Sequence, residues 1–89
     1  MTNTVYNDLT TCMNELTSDN WYYVKKSPNH IILAKTYFEL DRIDVEFKNN
    51  IIHLSLPLKN SPYCFYNKWS YNDTNTVNFF RKYMNDFSS

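Results

Sequence analysis

Four side chains of this 89-residue chain offer sulfur or imidazole nitrogen to a metal: Cys12, His30, His53 and Cys64. Four ligands suit a closed tetrahedral zinc site, but such sites draw their ligands from close sequence pairs. Here successive candidates stand 18, 23 and 11 positions apart. No metal site is therefore expected, and Cys12 reads as a small hydrophobe on a helix stripe. A second candidate is His53 beside Glu46, because a carboxylate neighbour raises an imidazole pKa and can make a proton shuttle. The plainer reading is a solvated cross-strand pair. Third, Lys25, Lys26 and Lys35 can grip an anion, although lysines on outer strands also block unwanted edge pairing.

Several chemistries are absent for a physical reason. The chain contains no glycine, and both phosphate-cradling loops and the flanked nucleophile elbow need glycine where backbone must approach closely or turn sharply. No HExxH, CxxC or paired-carboxylate motif occurs. The expectation is a protein with no catalytic residues and no cofactor.

Composition narrows the class further. Nine basic and nine acidic residues cancel, with a sequence pI near 6.7, whereas phosphate backbones and anionic membranes recruit clearly basic proteins. Hydrophobic residues make up 43% and aromatics 18%, enough for the chain to fold, with Tyr, Phe and Trp supplying much of the buried area. A single domain, 1–89, is expected, and a domain this small removes only about 60–65% of its unfolded surface from water. Two cysteines are too few for a secreted disulfide scaffold, and the opening MTNTVYNDLTTCM is polar where a signal peptide is apolar, so a cytoplasmic location is expected. Thirteen asparagines against one alanine is a bias that AT-rich codons favour, as in giant viruses and phages; a viral accessory protein is the expectation.

The elements that position these groups follow from periodicity. Val5, Leu9, Cys12, Met13 and Leu16 recur at helical spacing, with Asn3 or Thr4 to cap and Thr17 to Asn20 to stop. Val77, Phe80, Met84 and Phe87, widened by Phe79 and Tyr83, form a second stripe behind Asn72 or Asp73. Between them WYYVKK, HIILAKTYF, RIDVEFK and IIHLSLPL read as strands, parted at Ser27-Pro28-Asn29, at Glu39-Leu40-Asp41 and at Asn49-Asn50. With no glycine available, Asn49-Asn50 is the best pair for the positive φ values of a type I′ turn. Counting outward pairs Phe47 with Ile52, Val45 with Leu54 and Ile43 with Leu56, so the apolar side chains share one face while Glu46 meets His53 on the other. In PYCFYNKWSY, residues 62 to 71, the aromatics Tyr63, Phe65, Trp69 and Tyr71 stand at odd positions and Tyr66 at an even one. The odd set is expected in the core near Phe80 and Met84, with Tyr66 pointing away. The fold class is α+β: an antiparallel meander of four or five strands flanked by an N-terminal and a C-terminal helix, both helices on one face.

A helix, antiparallel strands and a helix, with Ser27-Pro28-Asn29-His30 between the first two strands, is similar to the double-stranded-RNA-binding domain, whose corresponding loop carries Gly-Pro-x-His and enters the minor groove. The resemblance covers that loop and implies RNA binding. That family's basic run at the start of the last helix has Asn72-Asp73-Thr74-Asn75 in its place, and this chain has one strand more. The leading expectation is a non-catalytic protein-interaction module, homodimeric or holding another protein through the uncovered sheet face or a tyrosine-rich edge, with Tyr22, Tyr66, Lys25, Lys26 and Lys35 as contact residues. RNA binding is the alternative. No membrane or small-molecule partner is expected.

Overall fold

The computed structural model describes residues 4–35, 38–58 and 61–88. Helix α1, Thr4–Leu16, exists because Val5, Leu9, Cys12 and Met13 line one side and are all buried; Tyr6 joins them. The helix stops where short polar side chains compete for its last carbonyls: the Thr17 and Ser18 hydroxyls donate to the carbonyls of Asn14 and Glu15 at 2.6 and 2.8 Å. Asn20, at φ 70°, then turns the chain into the sheet.

Five strands follow in meander order: β1 Trp21–Ser27, β2 His30–Lys35, β3 Phe38–Lys48, β4 Ile51–Pro57 and β5 Cys64–Ser70, each antiparallel to its neighbour. Helix α2, Asn75–Ser88, closes the chain. The architecture is the expected α+β arrangement of a helix, an antiparallel meander and a second helix.

Asn49 and Asn50 take φ values of 55° and 62°, so the two-residue turn is of the left-handed kind that matches strand twist. Lys48 then faces Ile51, Phe47 faces Ile52 and Val45 faces Leu54, as counted from the sequence. The ladder ends at Asp44 and Ser55, one step before the expected pairing of Ile43 with Leu56, though both of these side chains are fully buried.

The connection between β2 and β3 differs from the expected turn at Glu39-Leu40-Asp41. Those residues lie inside β3, which begins at Phe38, and residues 36–37 between the two strands lie outside the described residues. Lys35 faces Phe38 while Ala34 faces Arg42, so residues 39–41 are taken up as an irregularity in the longer strand. The polar break in the sequence marks a bulge, not a reversal.

One apolar cluster joins α1, the sheet and α2, with Leu9, Met13, Leu33, Ile43, Val45, Ile52, Leu54 and Leu56 fully enclosed. Each such residue contributes about 1.5–3 kcal/mol on leaving water. Helix α2 crosses the sheet obliquely: Phe79 lies 5.3 Å from both Phe65 and Trp69 on β5, and Phe87 lies 6.2 Å from Trp21 on β1. Burial, reinforced by the charge of Asp41, pushes the Tyr83 hydroxyl up to about 12; burial and the charge of Glu46 do the same for Tyr6.

The odd-numbered aromatics divide. Phe65 and Trp69 are half-buried against Phe79, whereas Phe80, their expected neighbour, sits deeper in the cluster. Tyr63 and Tyr71 are 76% and 41% exposed, because β5 pairs only from Cys64 to Ser70 and the alternation that buries a side chain ends with the pairing.

Two stability outcomes follow. Asn50→Val forces a β-branched residue to positive φ and lowers stability by about 1–2 kcal/mol, while Asn50→Gly is neutral or stabilising. Phe80→Ala removes a fully enclosed ring and costs about 3–5 kcal/mol; Phe65→Ala, half-buried, costs roughly half as much. Urea midpoints of the four variants measure both.

Candidate functional site

The register sorts the side chains of the sheet into rows. On the side facing the helices, Ile31, Val45, Leu54 and Asn67 form one row, and Phe47, Ile52 and Trp69 another. On the opposite side, Lys25, Ile32, Asp44, Ser55 and Tyr66 form a row across all five strands, and Ser27, His30, Glu46, His53 and Lys68 form the next. Four inter-strand steps make each row roughly 19 Å wide. No helix residue belongs to the apolar cluster from that side, so this outer face is the broad surface that the described fold leaves open.

Its middle is polar and internally bonded. His30 Nε2 lies 2.7 Å from Asp44 Oδ1, and its Nδ1 lies 3.9 Å from Glu46 Oε2. Only 18% of the His30 side chain is exposed, so the ring is held against the sheet. His53 Nδ1 and the Tyr66 hydroxyl are hydrogen-bonded at 2.6 Å, with the two rings stacked 6.1 Å apart at 23°. Asp44, Glu46, His53, Ser55 and Tyr66 line a shallow hollow of about 180 Å³. Pockets that enclose small molecules hold about 300–1,000 Å³, so this one suits a single inserted side chain. A larger hollow, about 450 Å³, opens between the first turns of the helices at Val5, Asp8, Tyr71 and Val77. It carries one ionisable carboxylate and one tyrosine, against the two imidazoles, two carboxylates and two tyrosines of the outer face.

Glu46 and His53 do face each other across the strands, but their side chains turn to other partners, Glu46 toward His30 and His53 to Tyr66. The sequence signal stopped at one hairpin; these contacts depend on β2 and β5 flanking it. His30–Asp44 went unread because it rests on the β2–β3 register, which the bulge at 39–41 obscures.

The five sequence-derived contact residues do not gather in one place. Tyr22, 45% exposed, and Lys25 lie on the outer face at the β1 edge; Tyr66, 53% exposed, lies on the same face at the β5 edge. Lys26 and Lys35 project on the helix side, their ammonium groups 4.7 Å over Tyr23 and 5.6 Å over both Trp21 and Phe87. There they roof aromatic rings. The four metal candidates are also divided: Cys12 is buried on the core side of α1, Cys64 is exposed at the start of β5, and the histidines occupy the outer face. Among the described residues no three His, Cys, Asp or Glu side chains group to hold a metal ion.

The loop that carries the RNA-binding resemblance is a tight turn, with the Ser27 hydroxyl donating to the His30 carbonyl at 2.9 Å and the His30 ring committed to Asp44. At the start of α2, where that family docks phosphate, Asp73 Oδ1 accepts the Asn75 N–H at 3.0 Å. A carboxylate already fills the anion position of this helix end. No helix among the described residues is long and apolar enough to cross a membrane.

The thiols provide a check on this placement. Burial pushes the Cys12 thiol pKa up, and the thiolate is the reactive form, so a disulfide reagent such as Ellman's should modify Cys64 promptly in the native protein and Cys12 only on unfolding. Two equally fast thiols would contradict the packing of α1.

Compared with known protein families, with curated proteins and with solved structures, the chain matches none, and what its outer face does must be argued from geometry.

Proposed function

We propose that this protein is a non-catalytic interaction module that holds another protein on the outer face of its sheet, with the His53–Tyr66 pair as the anchor. The observation that supports this reading is that pair. A tyrosine more than half exposed is fixed by a 2.6 Å hydrogen bond and a stacked imidazole. An aromatic group already held in one orientation loses little conformational freedom on binding, which is what makes tyrosines effective interface anchors. Ile32, three strands away in the same row, and Tyr22 on the β1 edge add apolar area at the far side of the face, while Lys25 and Lys68 provide a charged rim. The small volume of the adjoining hollow, about 180 Å³, supports recognition over catalysis, since pockets that enclose a small molecule are larger.

RNA binding is less well supported. A phosphate backbone laid across the outer face meets Asp44 and Glu46 at its centre, and the chain as a whole is neutral. A cytoplasmic location and a viral source stay part of the proposal, resting on composition alone.

Affinity capture from cell extract tests the reading. Tyr66→Ala should lower recovery of the captured protein at least tenfold while shifting the urea midpoint little, and Tyr22→Ala should lower it less. Capture unaffected by either change, or a duplex-RNA affinity in the micromolar range at physiological salt that is lost in Lys25→Glu, would overturn it.

A further inference from the structure

The two edges of the sheet are built differently. In an antiparallel ladder, successive residues point their N–H and C=O groups alternately to one neighbour and to the other. The Asn49-Asn50 turn makes Lys48 and Ile51 the closing hydrogen-bonded pair, so Ile52, Leu54 and Leu56 present their backbone groups to β5 and receive those of Trp69, Asn67 and Phe65. The Tyr71 N–H bonded to the Asn50 carbonyl at 3.0 Å continues the same parity. The backbone groups of Cys64, Tyr66, Lys68 and Ser70 therefore point out of the sheet. Among the described residues two of these groups have a partner there: the Lys68 N–H donates to the side-chain oxygen of Asn67 at 2.9 Å, and at the strand's end the Ser70 carbonyl accepts the Asp73 N–H at 3.0 Å. The β1 edge, by contrast, is broken by an irregularity between Tyr23 and Lys25 and carries two adjacent lysines, features that discourage strand addition. β5 is regular over its seven residues, carries a single charge, and contains no proline.

We propose that β5 pairs with β5 of a second copy of this chain, antiparallel about a two-fold axis at Asn67, to form a continuous ten-stranded sheet. The strand is self-complementary in that register. Phe65 meets Trp69 of the second copy on the helix side, extending the aromatic contacts, stacked for Phe65 and tilted for Trp69, that each already makes with Phe79. Tyr66 meets Lys68 on the outer side, so the one charge of each strand falls opposite an aromatic ring and not opposite its like. Cys64 meets Ser70. Asn67, exposed although on the helix side, shows that α2 leaves the outermost strand partly open, and at the axis the two amides can pair with each other. Shifting the axis to Tyr66 would instead set Pro62, which has no N–H, opposite Ser70. Pairing exchanges the local Asn67–Lys68 bond for inter-strand bonds and joins the two outer faces into one surface. This deepens the interaction-module reading by making a second copy the partner at the edge, and it stands or falls apart from capture of another protein on the face.

Cross-linking tests it. Cys64 and residue 70 lie six positions apart on one strand, about 20 Å, too far for a disulfide within a chain. Under mild oxidation the variant Ser70→Cys should give a species of twice the 10.8 kDa chain mass, with Cys64 bonded to position 70 by peptide mapping. Light scattering of the unmodified protein should show a concentration-dependent shift to the dimer. Tyr66→Lys should weaken that dimer at least tenfold by opposing two lysines, and adding Lys68→Glu should restore it. A monomer at every concentration, disulfides only between two Cys64 residues, or no rescue by the second change would each overturn the proposal. If the chain is monomeric yet Tyr66→Ala still abolishes capture, the edge pairing fails and the interaction module stands. If the dimer forms and capture is unaffected by Tyr66→Ala, the reverse holds.

Discussion

The constraint on which the rest of this structure depends is the parity set by two left-handed asparagines. Because strand side chains alternate with a period of two, a slip of one residue at Asn49-Asn50 would carry Ile52 and Leu54 to the solvent side while Val45 and Phe47 kept the core side. A chain without glycine has few residues that tolerate positive φ, and asparagine is foremost among them. Among the described residues the three at positive φ are all asparagines: Asn20 at the entry to the sheet and the pair at the central hairpin. The asparagine bias therefore does structural work at these positions.

From that parity come both the stability and the exposed chemistry. The apolar rows meet α1 and α2, and area removed from water is the dominant favourable term, since exposed ion pairs contribute only about 0–1 kcal/mol each. His30–Asp44 and His53–Tyr66 lie on the opposite rows, where they hold side chains in place more than they hold the fold together. Lys26 and Lys35 show how the helix-covered side ends: long cationic side chains fold over aromatic rings at its border, keeping the ammonium group in contact with water.

Much of this was legible in the sequence, and the limits have identifiable causes. The helices, the central hairpin and its register were readable because local turn chemistry and hydrophobic periodicity agree there. The β2–β3 reversal was misplaced because Glu39-Leu40-Asp41 carries the polarity of a turn while serving as a bulge, a distinction that depends on what the partner strand does. Tyr63 and Tyr71 were assigned to the core because alternation continues past the last paired residue in sequence but not in space. Tyr66 was read correctly as outward, yet its bond to His53 was not, since β5 reaches β4 through a long connection whose register no short turn fixes. Tyr6 was missed as a core residue because it sits at the flank of the α1 stripe, where Phe47, 5.8 Å away, covers it.

The claim that one turn sets the parity of the whole sheet, out to its free edge, can be measured amide by amide. Hydrogen exchange followed by NMR in dilute solution should show alternation along β5, with the N–H groups of Phe65, Asn67, Trp69 and Tyr71 slow and those of Cys64, Tyr66 and Ser70 fast. Uniform protection along the strand, or the opposite alternation, would contradict the register from which the core, the outer face and the open edge all follow.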